Sequence, residues 1–85
     1  MPKICQFYGI TIFMHTNDHP PPHFHAKYGE HEALIEIRTG ETYRGKLPAR
    51  ALRLVNEWQR LHRAELEENW GLAMSERPVF PIEPL

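Results

Sequence analysis

The chain has a single cysteine, Cys5, among its 85 residues. That excludes an intramolecular disulfide and a cysteine-built zinc site, and it points to a reducing, cytoplasmic location with Cys5 as a buried structural thiol. No apolar run approaches the roughly 20 residues that cross a bilayer, and the first residues lack the order of a secretory signal, so no membrane partner is expected. Charge of one sign is also missing: 10 Lys and Arg stand against 11 Asp and Glu. A polyanion would therefore have to be drawn by a local basic patch, because phosphate binding rests on clustered cations. Repeats and internal linkers are absent too. A chain this short has room for one core, and a single domain over residues 1–85 is expected.

What is present reads as an α+β fold, a small antiparallel sheet of four to five strands over residues 1–46 covered on one face by a C-terminal helical segment. From Ile4 to His15 the chain is rich in β-branched and aromatic residues around Gly9, which predicts two strands or one strand bent at a bulge. Period two puts Ile10, Ile12 and Met14 on one face and Thr11, Phe13 and His15 on the other. Pro20, Pro21 and Pro22 exclude a ladder strand and predict a stiff extended loop. Beyond them, 22–28 and 31–38 read as strands joined by Gly29-Glu30, a pair suited to a two-residue turn. Tyr28 opposite His31 then sets Ala26 against Ala33, Phe24 against Ile35, Lys27 against Glu32 and His23 against Glu36, with the apolar side chains on one face. A second hairpin at Thr39-Gly40 returns 41–45 as a short edge strand.

Pro48 suits a first helical position. After it Ala51, Leu54, Val55, Trp58, Leu61, His62, Leu66, Trp70 and Ala73 recur at helical spacing. Unbroken, residues 48–74 would form a rod of roughly 40 Å, so the segment is expected to be long and kinked, or split in two, near residues 62–64. Gly71 predicts early fraying. Residues 77–85 carry three prolines and read as an extended tail. Arg50, Arg53, Arg60 and Arg63 share the helix with Glu57, Glu65, Glu67 and Glu68, the pattern of a solvated face. Trp58 and Trp70 read as core anchors.

Five of the six histidines fall between His15 and His31. Alternation along a strand points His23 and His25 the same way, with Phe24 turned into the core. Two adjacent imidazoles support three chemistries. They can exchange protons near neutral pH, with Lys27 as an electrostatic aid, and so cleave RNA through its 2′-hydroxyl. They can bind a divalent transition metal together with a carboxylate such as Asp18 or Glu36. They can also do neither, and serve as solvated or loop-fixing side chains. His-x-His alone does not decide among these, and no His-Glu-x-x-His pattern is present.

Phe7-Tyr8-Gly9-Ile10, then Asn17-Asp18-His19-Pro20-Pro21-Pro22-His23-Phe24-His25-Ala26, Gly45-Lys46-Leu47-Pro48, Leu61-His62-Arg63, Glu68-Asn69-Trp70 and Ile82-Glu83-Pro84-Leu85 follow in that order. Nearly the whole chain thereby resembles the bacterial domain-of-unknown-function 4160 family, whose central motif is met by Asp18, His19, Pro21, Pro22, His23, Phe24 and His25. Pro20 and Gly71 depart from the usual pattern. The resemblance implies a small gene beside a second uncharacterised gene, a pair proposed as a toxin–antitoxin module.

The leading expectation is therefore a toxin-like domain that binds or cleaves RNA, a metal-independent ribonuclease-like enzyme without cofactor. His23, His25 and Lys27 would be catalytic, and Asp18, His19, Tyr28 and Glu36 would bind substrate. The alternatives are a protein-interaction module with structural histidines, and a small metal-binding protein whose ligands are His23, His25 and Asp18. Expected partners are RNA, a cognate antitoxin-like protein and, through exposed edge strands, a second copy.

Overall fold

The computed structural model describes residues 2–85. Five strands form one antiparallel sheet in the order of the chain: β1 (Lys3–Phe7), β2 (Ile10–Phe13), β3 (His23–Tyr28), β4 (His31–Glu36) and β5 (Thr42–Gly45). Two helices follow, α1 (Ala49–Leu61) and α2 (Arg63–Met74).

Turn chemistry builds the meander. Tyr8 and Gly9 both take positive φ (48° and 79°), the conformation a two-residue turn needs between right-twisted strands, so the 4–15 region is two strands. Gly29 does the same at φ 60° between β3 and β4. The β3–β4 register pairs His23 with Glu36, Phe24 with Ile35, Ala26 with Ala33, Lys27 with Glu32 and Tyr28 with His31, as the face pattern requires. β3 starts one residue late, after Pro22, β4 is shorter than expected because the chain turns at Ile37 rather than Thr39, and β5 starts one residue late. At Gly45 (φ 78°) an added Cβ would lie 2.2 Å from the Glu32 carbonyl oxygen, so β4 and β5 approach as only glycine allows.

One apolar cluster unites sheet and helices. It holds Ile4, Phe7, Ile10, Ile12, Met14, Phe24, Ala26, Ala33 and Ile35 with Ala51, Val55, Trp58, Leu66, Ala73 and Ile82. The Trp58 ring meets Phe7 at 5.5 Å and Phe24 at 5.8 Å. Burying one such large side chain contributes roughly 1.5–3 kcal/mol. Gln59 is buried as well, its amide donating to the Ile37 carbonyl and so satisfying the turn after β4.

The helical segment is two helices rather than one long rod. An unbroken helix over residues 49–74 would run about 39 Å, longer than the 33 Å principal extent of the molecule. His62 (φ −124°) interrupts it, its N–H shared between the Trp58 and Gln59 carbonyls and its ring bonded to Glu65 in the first turn of α2. Leu61, read as part of the apolar stripe, is 65% exposed, on the flank of the face that α1 buries. Pro48 is the residue before α1 rather than its first turn. Gly71 does not fray α2. That helix continues to Met74 and closes with Arg77 N–H on the Leu72 carbonyl and Glu76 N–H on Ala73, Glu76 taking φ 56°. These two bonds satisfy carbonyls that the helix end would otherwise orphan.

The tail, residues 77–85, lies extended against the rest. Ile82 N–H donates to the Ile4 carbonyl on the outer side of β1, and the Trp58 indole donates to the Glu83 carbonyl. No helix of the described residues is long and apolar enough to cross a membrane.

Candidate metal centre

β3 and the loop before it place the histidines. Strand alternation sends Phe24 and Ala26 into the core and His23, His25 and Lys27 to the opposite face, so the two imidazoles stand side by side, ring centres 5.3 Å apart. Neither projects into water. His23 is 0% exposed and His25 7%. Trp70 of α2 and Tyr43 of β5 cover His23, with ring centres at 5.2 and 5.5 Å. Phe13 stacks on His25 at 5.1 Å and His15 meets it edge-on at 4.2 Å.

Asp18 completes the group. Its loop is tied to the end of α2, where Asn17 N–H donates to the Ala73 carbonyl and the Asn17 amide donates to Glu76. That clamp carries the Asp18 carboxylate over both rings. Asp18 Oδ2 lies 2.9 Å from His23 Nε2 and 3.3 Å from His25 Nε2. Oδ1 accepts from the His19 backbone N–H at 2.8 Å.

The far nitrogens are engaged as well. His23 Nδ1 lies 2.8 Å from the Pro21 carbonyl oxygen, and His25 Nδ1 lies 3.2 Å from Glu32 Oε2. A carbonyl oxygen can only accept, so His23 Nδ1 carries a proton, while His25 has a carboxylate oxygen at each ring nitrogen. A ring with its one proton on Nδ1 turns the Nε2 lone pair toward Asp18, where a cation would be held by all three atoms.

Burial works to raise the Asp18 pKa, but the His19 N–H and the His25 and His23 rings outweigh it and hold the carboxyl below its ordinary value. Burial and the neighbouring His25 lower the pKa of His15. One nitrogen of each histidine and one Asp18 oxygen all lie within 4.8 Å of one another. Bonds of about 2.0–2.1 Å to a tetrahedral ion set ligand atoms roughly 3.3 Å apart; Asp18 Oδ2 stands at 2.9 and 3.3 Å from the two Nε2 atoms, and the three ligand atoms together lie within 4.8 Å.

Of the other residues expected at a site, His19 stays beside the group and the rest are dispersed. His19 is exposed beside Asp18, its Nε2 3.5 Å from Oδ1. Lys27 is exposed, two positions from His25 and paired with Thr11 and Glu32. Glu36 sits opposite His23 in register, partly buried, and outside the converging group. Tyr28 is on the other side of the sheet, packed against the core and lining a cavity of about 30 Å³ with Tyr8 and Leu54.

Glu32, Tyr43 and Trp70 touch the histidines without having been expected there. Glu32 was legible: it is diagonal to His25 across the β3–β4 pair, a separation that long side chains bridge.

The family model described as Domain of unknown function (DUF4160) matches residues 9–71. The chain belongs to the DUF4160 family. The DUF4160 match spans Asp18, His23 and His25 together with their neighbours Glu32, Tyr43 and Trp70, and leaves the tail outside. No curated protein and no solved structure matches the chain.

Proposed function

We propose that this DUF4160 chain, folded as one domain over residues 1–85, is a binding protein for a divalent transition metal held by Asp18, His23 and His25. The convergence of the two Nε2 atoms on Asp18 Oδ2 carries this reading. The surrounding bonds support it. Metal-ligating histidines ordinarily donate the other ring N–H to a backbone carbonyl or a carboxylate, and the Pro21 carbonyl and Glu32 stand in those places. Two imidazoles and a carboxylate suit zinc, iron, nickel, cobalt or copper. Three protein ligands leave a position for water or substrate, which is the composition of a catalytic rather than a closed structural centre.

The RNA-directed reading, with His23 and His25 as metal-free acid and base, Lys27 as an aid and a cognate antitoxin as partner, has less support. Such catalysis needs a ring open to substrate, and His23 is 0% and His25 7% exposed.

Protein purified without a histidine tag and titrated with Zn²⁺ or Co²⁺ separates the readings. One ion per chain, lost in His23→Ala and His25→Ala variants that retain their circular dichroism, is the expected result. Failure of the wild-type chain to take up any first-row divalent ion would falsify the proposal. RNA cleavage that survives chelator would favour the metal-free reading instead.

A further inference from the structure

Three imidazoles, not two, surround the Asp18 carboxylate. Oδ2 faces Nε2 of His23 and of His25, while Oδ1 has His19 Nε2 at 3.5 Å. The His19 ring leans on that of His23, centres 5.5 Å apart and planes inclined at 31°. Its other nitrogen, Nδ1, lies 3.4 Å from the Pro20 carbonyl oxygen, a longer counterpart of the contact between His23 Nδ1 and Pro21. A proton on Nδ1 is what that oxygen can accept, and this tautomer leaves the Nε2 lone pair for an ion.

Burial sets His19 apart from the other two. Its side chain is 61% exposed, whereas His23 is buried under Trp70 and Tyr43, and His25 under Phe13 and His15. The backbone beneath the His19 ring is fixed. Its N–H donates to Asp18 Oδ1 at 2.8 Å, and Pro20 biases the residue before it to extended conformations. The exposed ring retains its two side-chain torsions, and Nε2 stands outside the converging group. Its 3.5 Å from the carboxylate is close to the roughly 3.3 Å that separates ligand atoms on a tetrahedral ion. His15 meets the His25 ring edge-on and, among the described residues, has no hydrogen bond or ion pair with Asp18.

We propose that His19 is a detachable fourth ligand to the ion held by Asp18, His23 and His25, its ring turning about those two torsions to seat Nε2. The inference rests on the metal reading and adds what controls the fourth position. With His19 seated, the ion has three nitrogens and one oxygen from the protein. With His19 swung into solvent, the same place is open to water or to a small molecule with one nitrogen or oxygen donor. A buried ligand could not exchange in this way without opening the core.

The ion's own coordination tests this. By X-ray absorption the Zn²⁺-loaded wild type should show three imidazoles, and His19→Ala two with an oxygen in the vacated place. The Co²⁺-loaded variant should differ from the wild type in its visible bands, and added imidazole should return them to the wild-type positions. Zn²⁺ affinity should fall about tenfold or more. His19 is exposed, so the variant should keep the wild-type circular dichroism.

A wild-type chain that takes up no ion removes the metal reading and this inference with it. A wild-type chain that binds Zn²⁺ through two imidazoles leaves that reading standing and overturns the fourth ligand. Weaker binding by His19→Ala with unchanged Co²⁺ bands does the same, since a ring that only steadies Asp18 would act that way. A band shift in His15→Ala that is absent in His19→Ala overturns it as well.

Discussion

Asn17 and Glu76 reach each other from two left-handed turns, φ 53° and 56°, and the amide-to-carboxylate bond between them joins the loop after β2 to the end of α2. Asp18 is the next residue, so its position over the His23 and His25 rings depends on that bond. Asn17→Ala removes the bond and the polar side chain that makes Asn one of the few L-residues to adopt positive φ readily. It should lower Zn²⁺ affinity while leaving the ligands intact. Asn17→Gly, which tolerates the φ, should lose less. Isothermal titration of both variants checks the order, and equal affinities would separate the loop clamp from the centre.

Glu32 supports His25 without converging on the centre itself. Replacing it by Ala leaves the His25 Nδ1–H without its acceptor and frees the ring to rotate. Losses of about 10–100-fold in metal affinity follow when such supporting groups are removed. Glu32→Gln keeps an acceptor oxygen but not the charge and should fall between. Competition with a chromophoric chelator measures both; wild-type affinity in Glu32→Ala would show that the contact is incidental.

Asn69 is 0% exposed and imitates a strand for the tail, its amide donating to the Phe80 carbonyl at 2.9 Å and its oxygen accepting from Phe80 N–H at 3.0 Å. Asn69→Ala strips both partners from the Phe80 backbone at once. Each buried group left unsatisfied costs about 1–3 kcal/mol, so urea unfolding should show a loss of roughly 2–4 kcal/mol, reduced if water reaches the gap. Asn69→Asp should not rescue it, because a carboxylate cannot donate to the Phe80 carbonyl.

Cys5 is buried, and burial raises its thiol pKa, opposed in part by a backbone hydrogen bond from Gln6. In the unfolded chain the thiol titrates at about 8.5. Because the folded value is the higher, the stabilisation is complete below the unfolded pKa and is lost as pH rises through the folded one. Alkaline pH should therefore lower the unfolding midpoint more in the wild type than in Cys5→Ala, measured relative to each at neutral pH. A disulfide reagent should label the native thiol only as fast as the chain opens.

Much of this architecture was readable from residues alone, for local reasons. Gly29-Glu30 and the apolar alternation of β3 and β4 both demand the same register, so neither could slip without the other. The break at His62 was legible from length, since a single rod would outrun the sheet. What escaped was set by contacts distant in sequence. Alternation shows that His23 and His25 share a face, but not that Trp70 and Tyr43 close over His23. Leu61 fits the helical stripe on spacing, but α1 buries Ala51, Val55, Trp58 and Gln59, which puts Leu61 on the flank of that stripe. Tyr28 was placed with the histidines although its parity puts it on the other side of β3, which strand period could have excluded.

The order of the sheet bears on how the chain finds it. Every strand pairs with its neighbour in sequence, so the meander can zip up from successive hairpins, each closing a short loop on a microsecond scale. The Ile4–Ile82 and Asn17–Ala73 contacts enclose most of the chain and repay their closure entropy only after the hairpins exist. Docking of the tail and of the α2 terminus thus belongs to the late side of the folding barrier. The pocket around Asp18 takes its final shape only in that last consolidation, when the ends of the chain's longest loops are drawn together.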